Sequence, residues 1–272
     1  MIDGPNQENQ EVLLQKSTMS LLQKHPKLSF YGVMLLCVLS LKLFLPDSFT
    51  LKRKRSYHFK TTTLGFFIGD LKVFEDASKE EVEQKIIQVF PENLRDNVRK
   101  VIRPVLVISE KHEVDPFWVL SVLWTESHFK IQAESKKGAR GLMQVMPDTY
   151  AHIMSELTEK GVVLESDHDA DWLRKSYPES FEALGHETLS AKLRNLEVGI
   201  YYLKSLHDRF ENNYFHATVA YNMGPSWTSE RLKNDLPVGK KNHYLDKVML
   251  AYRHITTTLN HNSYVTLSGQ SF

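Results

Sequence analysis

The stretch LWTESHF, residues 123–129, sets one acid inside an apolar run, and Glu126 is the first side chain placed to do chemistry. Taking a carboxyl group out of water is costly unless it is paired or neutral. Glu126 is therefore either a glutamate at a frayed helix end that reaches solvent, or a carboxylic acid kept protonated by apolar walls, as the general acid of a glycosidase must be. Other acids cluster at Asp167-x-Asp169-x-Asp171, the opening pattern of a calcium loop. Such a loop wants glycine at its sixth position and glutamate at its twelfth, where this chain has Trp172 and Pro178. A solvated acidic loop is the expectation. The twelve histidines form no H-E-x-x-H or other paired ligand pattern, so no metal and no other cofactor is expected. Neither a G-x-S-x-G elbow nor a Walker loop is present. Gly138 and Gly141 in KKGARG neither follow a clear strand nor open a helix, which is too little for phosphate binding. Taken alone, Tyr221-Asn222 at a helix end and Tyr244 near the start of the last helix read as core aromatics.

Helical elements must position these groups. Ala77–Phe90 repeats apolar residues at helical spacing, with Ser78 as cap and Glu81 at the capping-box position. Asn93–His112 reads as a second helix, bent at Pro104. Asp115-Pro116 is a strong start signal, an N-cap aspartate followed by proline at the first helical position. The helix from 116 to 128 is apolar on nearly every side, which predicts a central buried element with Glu126 in its last turn. GLMQVMP is too short for a helix and predicts a small strand or hairpin. Pro147 opens a helix that runs to about Lys160 and stops at Gly161. Residues 161–190 are charged and irregular in pattern. Leu193–Arg209 is amphipathic, Tyr214–Met223 is helical up to Gly224-Pro225, and Asn242–Thr257 closes the body.

The 272 residues, 42% of them hydrophobic, suffice for one sizeable core with accessories. The net charge of +1 exerts no global pull on nucleic acid, and the body lacks basic runs interleaved with aromatics, so no nucleic-acid partner is expected. The charge is uneven, however. Residues 1–60 hold nine Lys/Arg against four Asp/Glu, and the rest of the chain holds 25 against 29. Cys37 is the only cysteine, which rules out an intrachain disulfide and a Cys-rich zinc site. Residues 28–45, LSFYGVMLLCVLSLKLFL, span roughly 27 Å as a helix, close to the hydrocarbon thickness of a bilayer. They predict an uncleaved single-pass anchor, with 1–27 as a tail before it and 46–76 as a basic linker after it. Counting positive charges alone would put the body in the cytoplasm, because Lys52, Arg53, Lys54, Arg55 and Lys60 outnumber Lys16, Lys24 and Lys27.

Read in order, the blocks acquire a shared meaning. Glu126-Ser127, the run from Ser135 to Pro147 (SKKGARGLMQVMP), the helix carrying Asn195, Gly199, Tyr202 and Leu203, the AYNMGP block from Ala220 to Pro225, and Tyr244 before a Val-containing helix together resemble the soluble-type lytic transglycosylases of the lysozyme-like superfamily. The resemblance covers roughly 105–255, with 161–190 as an insertion. It implies a mainly α, lysozyme-like (α+β) fold over 77–272, with a small β-hairpin region. It also implies cleavage of the β-1,4 bond between N-acetylmuramic acid and N-acetylglucosamine in peptidoglycan glycan strands. In that family one glutamate, here Glu126, would serve as acid and then base, and the muramic acid 6-hydroxyl would form a 1,6-anhydro product. Ser127 would assist the sugar or peptide side, Met143 and Gln144 would line the cleft, Tyr221 and Asn222 would bind sugar, and Tyr244 would bond near the catalytic carboxyl. A wall substrate would place the body in the periplasm on a bacterial inner membrane, against the positive-charge count. A partner complex for secretion or wall remodelling is compatible with that location. Two other readings stay open from sequence: a hydrolytic muramidase using a second carboxylate such as Asp167 or Asp169, and a non-enzymatic peptidoglycan-binding scaffold of an envelope machine.

Overall fold

The structure is a computed structural model that describes residues 78–239 and 242–268, with side chains through 260. The chain divides into two units, Met1–Arg53 and Lys54–Phe272, and the described residues belong to the second. The expected tail, anchor and basic linker lie outside them. No helix among the described residues is long and apolar enough to cross a membrane.

The body is built from helices, and local chemistry sets most of their ends. Helix α1, Lys79–Val89, starts at the expected capping box: Ser78 Oγ accepts from Glu81 N–H, and the Glu81 carboxylate accepts from Ser78 N–H at 2.6 Å. The expected single helix over 93–112 is instead two, α2 Glu92–Arg99 and α3 Ile102–Lys111. Pro104 explains the break. It sits in the first turn of α3, where a missing N–H is tolerated, and it cannot donate to Lys100 four residues back. The freed Lys100 carbonyl accepts instead from Ser180 Oγ at 2.8 Å and Lys192 Nζ at 2.6 Å. What proline denies the helix thus becomes an anchor for a distant one.

Helix α4, Pro116–Ser127, begins as predicted, with the Asp115 carboxylate accepting from Phe117 N–H at 2.8 Å. Phe117, Trp118, Val119, Leu120, Val122 and Leu123 are all buried, so α4 is the hub of the core. It packs chiefly against α10, His243–Ser268, and against α3. The Tyr252 hydroxyl of α10 donates to the other Asp115 oxygen at 2.7 Å and locks the two helices at that end.

After α5, Pro147–Glu159, the segment read as irregular is largely helical. It contains a 3-10 turn Glu165–Asp167, helix α6 Ala170–Ser176, and the first part of α7, Pro178–Arg209. Helix α6 has only seven residues and a single buried apolar side chain, Leu173, too short for a periodic signal. Helix α7 is broken at Gly185 (φ 72, ψ 169). The acidic triplet is structural: Asp169 caps α6 through Trp172 N–H, Asp167 accepts from Leu164 N–H and Arg194, and Asp171 pairs with Arg174. A buried ionic knot ties this segment down. Glu197 of α7, fully buried, lies 2.7 Å from Lys111 Nζ and 3.0 Å from His112 Nε2, and accepts from Glu165 N–H at 2.8 Å. Burial alone would raise the Glu197 pKa, but these donors outweigh it and hold it below the ordinary value.

Helix α8, Tyr214–Met223, ends at Gly224 (φ 92), and Pro225 immediately opens α9, Pro225–Lys233. Sequence reading had no element for 225–233. The expected hairpin is absent among the described residues. Only isolated bridges form, Glu134 with Arg140 and Arg140 with Val145. Left-handed backbone at Gly138, Gly141 and Gln144 turns the chain every third residue, which leaves no extended run for a ladder.

Candidate active site

Four segments converge on one carboxyl. Glu126 stands in the last turn of α4, which ends abruptly because His128 and Phe129 both adopt left-handed backbone (φ 51 and 60). Phe129 is 1% exposed and packs edge-on against Phe90 at 5.1 Å, so an apolar anchor holds the strained turn in place. Glu126 itself is half-buried. Burial pushes its pKa up from 4.5 to about 7, and the Tyr244 hydroxyl draws it down slightly. No other charged group among the described residues bears on its ionisation. At neutral pH the acid form is thus well populated, as a proton donor requires.

Two tyrosines face this carboxyl. Tyr244 enters from the first turn of α10, and its hydroxyl is buried without a completed hydrogen bond, near enough to Glu126 to bear on its ionisation. Tyr221 stands near the end of α8. Burial first, and the Glu126 charge second, push both phenols well above their usual pKa. Both stay neutral donors across the whole working range. The Tyr221 hydroxyl donates to the Met143 carbonyl at 2.7 Å and joins α8 to the third segment.

That segment is the loop 133–145. Gly141 N–H donates to Ala133 O at 2.8 Å, and Arg140 exchanges both backbone bonds with Val145 at 3.2 Å. Gln144, held at φ 48, donates from Nε2 to Ala133 O at 2.9 Å and Gly141 O at 3.0 Å. Helix α7 grips the loop from behind. Asn195 Oδ1 accepts from Met143 N–H at 3.2 Å, and its Nδ2 donates to Arg140 O at 3.1 Å. A β-carbon at Gly141, which is at φ 76, would sit 2.5 Å from Asn195 Oδ1. One at Gly199 would sit 2.5 Å from Met143 Cβ. Asn195-x-x-x-Gly199, one turn apart on α7, is thus a clamp: a pincer of hydrogen bonds and a flat spot against which the loop lies.

The seven expected site residues divide by what they touch. Glu126, Tyr221 and Tyr244 come together around the carboxyl. Asn222 is exposed and shares a pocket with Tyr244. The remaining three bond or pack within the body. Ser127 is 4% exposed, and its hydroxyl donates back to Leu123 O at 3.1 Å, so it faces inward and secures the helix end. Met143 is fully buried beneath Gly199 and forms the floor of the loop. The amide nitrogen of Gln144 is engaged by the loop's own carbonyls. The clamp role of Asn195 and Gly199 was not foreseen. Their i, i+4 spacing signalled a shared helix face but not what lay on it.

The arrangement is a single ionisable acid, neutral phenols and backbone-braced polar groups at the foot of a helical body. Residues 104–244 match the transglycosylase SLT domain, and the chain belongs to that family. It is 27% identical over 113 residues to the soluble lytic murein transglycosylases of Escherichia coli K12 and O157:H7, a stretch that is 42% of this chain and 14% of each relative. Among solved structures, it is similar to an inactive mutant of the lytic transglycosylase Slt from Pseudomonas aeruginosa. The TM-score is 0.42 and the identity 23%, over 57% of this chain and 24% of that one. The 70 kDa soluble lytic transglycosylase of Escherichia coli gives a TM-score of 0.39 and 18% identity, over 67% of this chain and 31% of that one.

Proposed function

We propose that this protein is a membrane-anchored lytic transglycosylase that cleaves the bond between N-acetylmuramic acid and N-acetylglucosamine in peptidoglycan. The observation that carries the reading is Glu126, half-buried, with a pKa of about 7 and no carboxylate among the described residues acting on its ionisation. Glycosidases that deliver water normally need a second carboxyl group roughly 5–9.5 Å from the first. The rival acids are engaged elsewhere: Glu134 pairs with Arg140, and Asp167 with Arg194.

The reaction then runs on one group. The Glu126 acid gives its proton to the glycosidic oxygen, and the bond to the anomeric carbon breaks as N-acetylglucosamine leaves. The substrate's own N-acetyl oxygen shields the cation that develops. Glu126, now a carboxylate, takes the proton from the muramic acid 6-hydroxyl, whose oxygen closes on the anomeric carbon. Glu126 ends as it began, and no water is consumed. Tyr244 is placed to donate to the carboxylate during the anionic interval. Tyr221 sets the loop through Met143, and Asn222 offers its amide to the sugar.

Digestion of purified sacculi, read by mass spectrometry, tests this. The expected muropeptides end in anhydromuramic acid, about 18 Da lighter than reducing-end products, which mechanisms that deliver water cannot yield. Glu126→Gln should lower the rate at least a thousandfold, since it keeps the volume and removes the transferable proton. Predominant reducing ends would instead favour a muramidase. Intact sacculi after prolonged incubation would favour a binding scaffold.

A further inference from the structure

The pocket lined by Asn222 and Tyr244 is also lined by a feature that the proposed reaction does not use. It encloses about 460 Å³, and its far wall is Trp227 and Arg231 of α9 with Pro237 and Asn242. Arg231 is built into this wall. Its guanidinium lies 5.0 Å from the centre of the Trp227 ring, its Nε donates to Pro237 O at 3.1 Å, and its own carbonyl accepts from Leu236 N–H at 2.8 Å. The turn after α9 is therefore folded around the arginine and fixes its stem. The two terminal nitrogens bond to no described residue. No aspartate or glutamate lines the pocket. An arginine whose plane is fixed by an aromatic face and by one hydrogen bond presents the rest of its fork already oriented, which suits a carboxylate.

We propose that Arg231, seated on Trp227, is the anion-binding residue of this cleft and takes a carboxylate of the bound glycan beside the bond that is cut. The assignment rests on the peptidoglycan reading, because Asn222 and Tyr244 belong to both the pocket and the reacting end. Peptidoglycan has two sources of such a carboxylate near the muramic acid ring, the peptide stem and the lactyl group exposed when the stem is removed. Trp227 supplies a flat apolar floor for the carbon skeleton that carries the charge.

Binding to the full chain in the Glu126→Gln background, which leaves ligands uncut, separates the possibilities. Three probes are used: a muramic-acid-containing tetrasaccharide with its stems, the same compound after amidase treatment, and chitotetraose, which has no carboxylate. The expected result is that adding Arg231→Gln weakens the stem-bearing ligand about tenfold more than chitotetraose, and that Arg231→Lys restores part of the difference. If the amidase-treated ligand follows the stem-bearing one, Arg231 takes either carboxylate; if it follows chitotetraose, the stem is the partner; and a loss confined to the amidase-treated ligand assigns the lactyl group, whose carboxyl is an amide while the stem is attached. Equal weakening of all three probes would overturn the proposal, including the case where the turn at 234–239 collapses. Failure of the Glu126→Gln protein to bind any of the three would instead overturn the peptidoglycan reading itself.

Discussion

Glu126 is expensive to keep, and the expense depends on pH. Its folded pKa lies above its unfolded one, so the folded state suffers no penalty below about pH 4.5. Stability is then lost as the pH climbs toward 7 and the unfolded chain releases a proton that the folded one retains. The loss amounts to about 3 kcal/mol at most. Glu126→Gln removes the ionisation, so urea denaturation should find the variant and the parent equally stable near pH 4. The variant should become the more stable of the two by about 2–3 kcal/mol at pH 8. A constant difference across that range would mean that Glu126 titrates normally. In the active protein, the rate should fall above about pH 7 as the proton donor is lost. The suspicion that Glu126 is functional was available from the apolar letters around it. The inward turn of Ser127 was not, because helix-end hydroxyls choose between solvent and the carbonyl four residues back on tertiary grounds.

The helices were readable wherever a cap or a long apolar face marked them. Asp115-Pro116 placed the start of α4 to the residue, and Ser78 with Glu81 placed α1. The break at Lys100-Val101 was misassigned because proline was expected to bend a helix at its own position. It acts one turn earlier, on the carbonyl it would have needed. The stretch 141–147 looked like a small strand or hairpin because it is too short for a helix, but side chains from α7 dictate the backbone of this loop, and those are some fifty residues distant. This dependence can be tested. Gly199→Ala puts a methyl against Met143 Cβ, an atom that cannot swing away. The expected cost is about 1–3 kcal/mol in stability. Turnover on sacculi should fall by a larger factor than stability explains, because the displaced loop carries the carbonyl that orients Tyr221. Adding Met143→Ala should return part of the activity. If Gly199→Ala alone retains full turnover, the loop is not held in the way described.

Across the whole molecule, the expected leader and the proposed wall substrate make opposite demands on orientation. The 28–45 run suits a bilayer, while the basic residues after it would normally stay in the cytoplasm. A wall substrate requires the reverse orientation. In cells whose outer barrier is opened but whose inner membrane is intact, added protease should degrade the body. A body that survives such treatment would leave it without access to peptidoglycan. Composition announced the unequal distribution of charge and the single core. It could not announce the buried knot of Glu197, Lys111 and His112, since three ordinary polar letters spread over 87 positions carry no periodic mark. The order in which the site's parts occur along the chain has its own effect. Glu126 is synthesised early, but Tyr244, which faces it, and Tyr252, which locks α10 onto Asp115, arrive more than a hundred residues later. A ribosome that has passed Glu126 has made an acid without its opposing wall. The wall around that acid is completed only as α10 docks, so the environment that raises its pKa is the last part of the site to form.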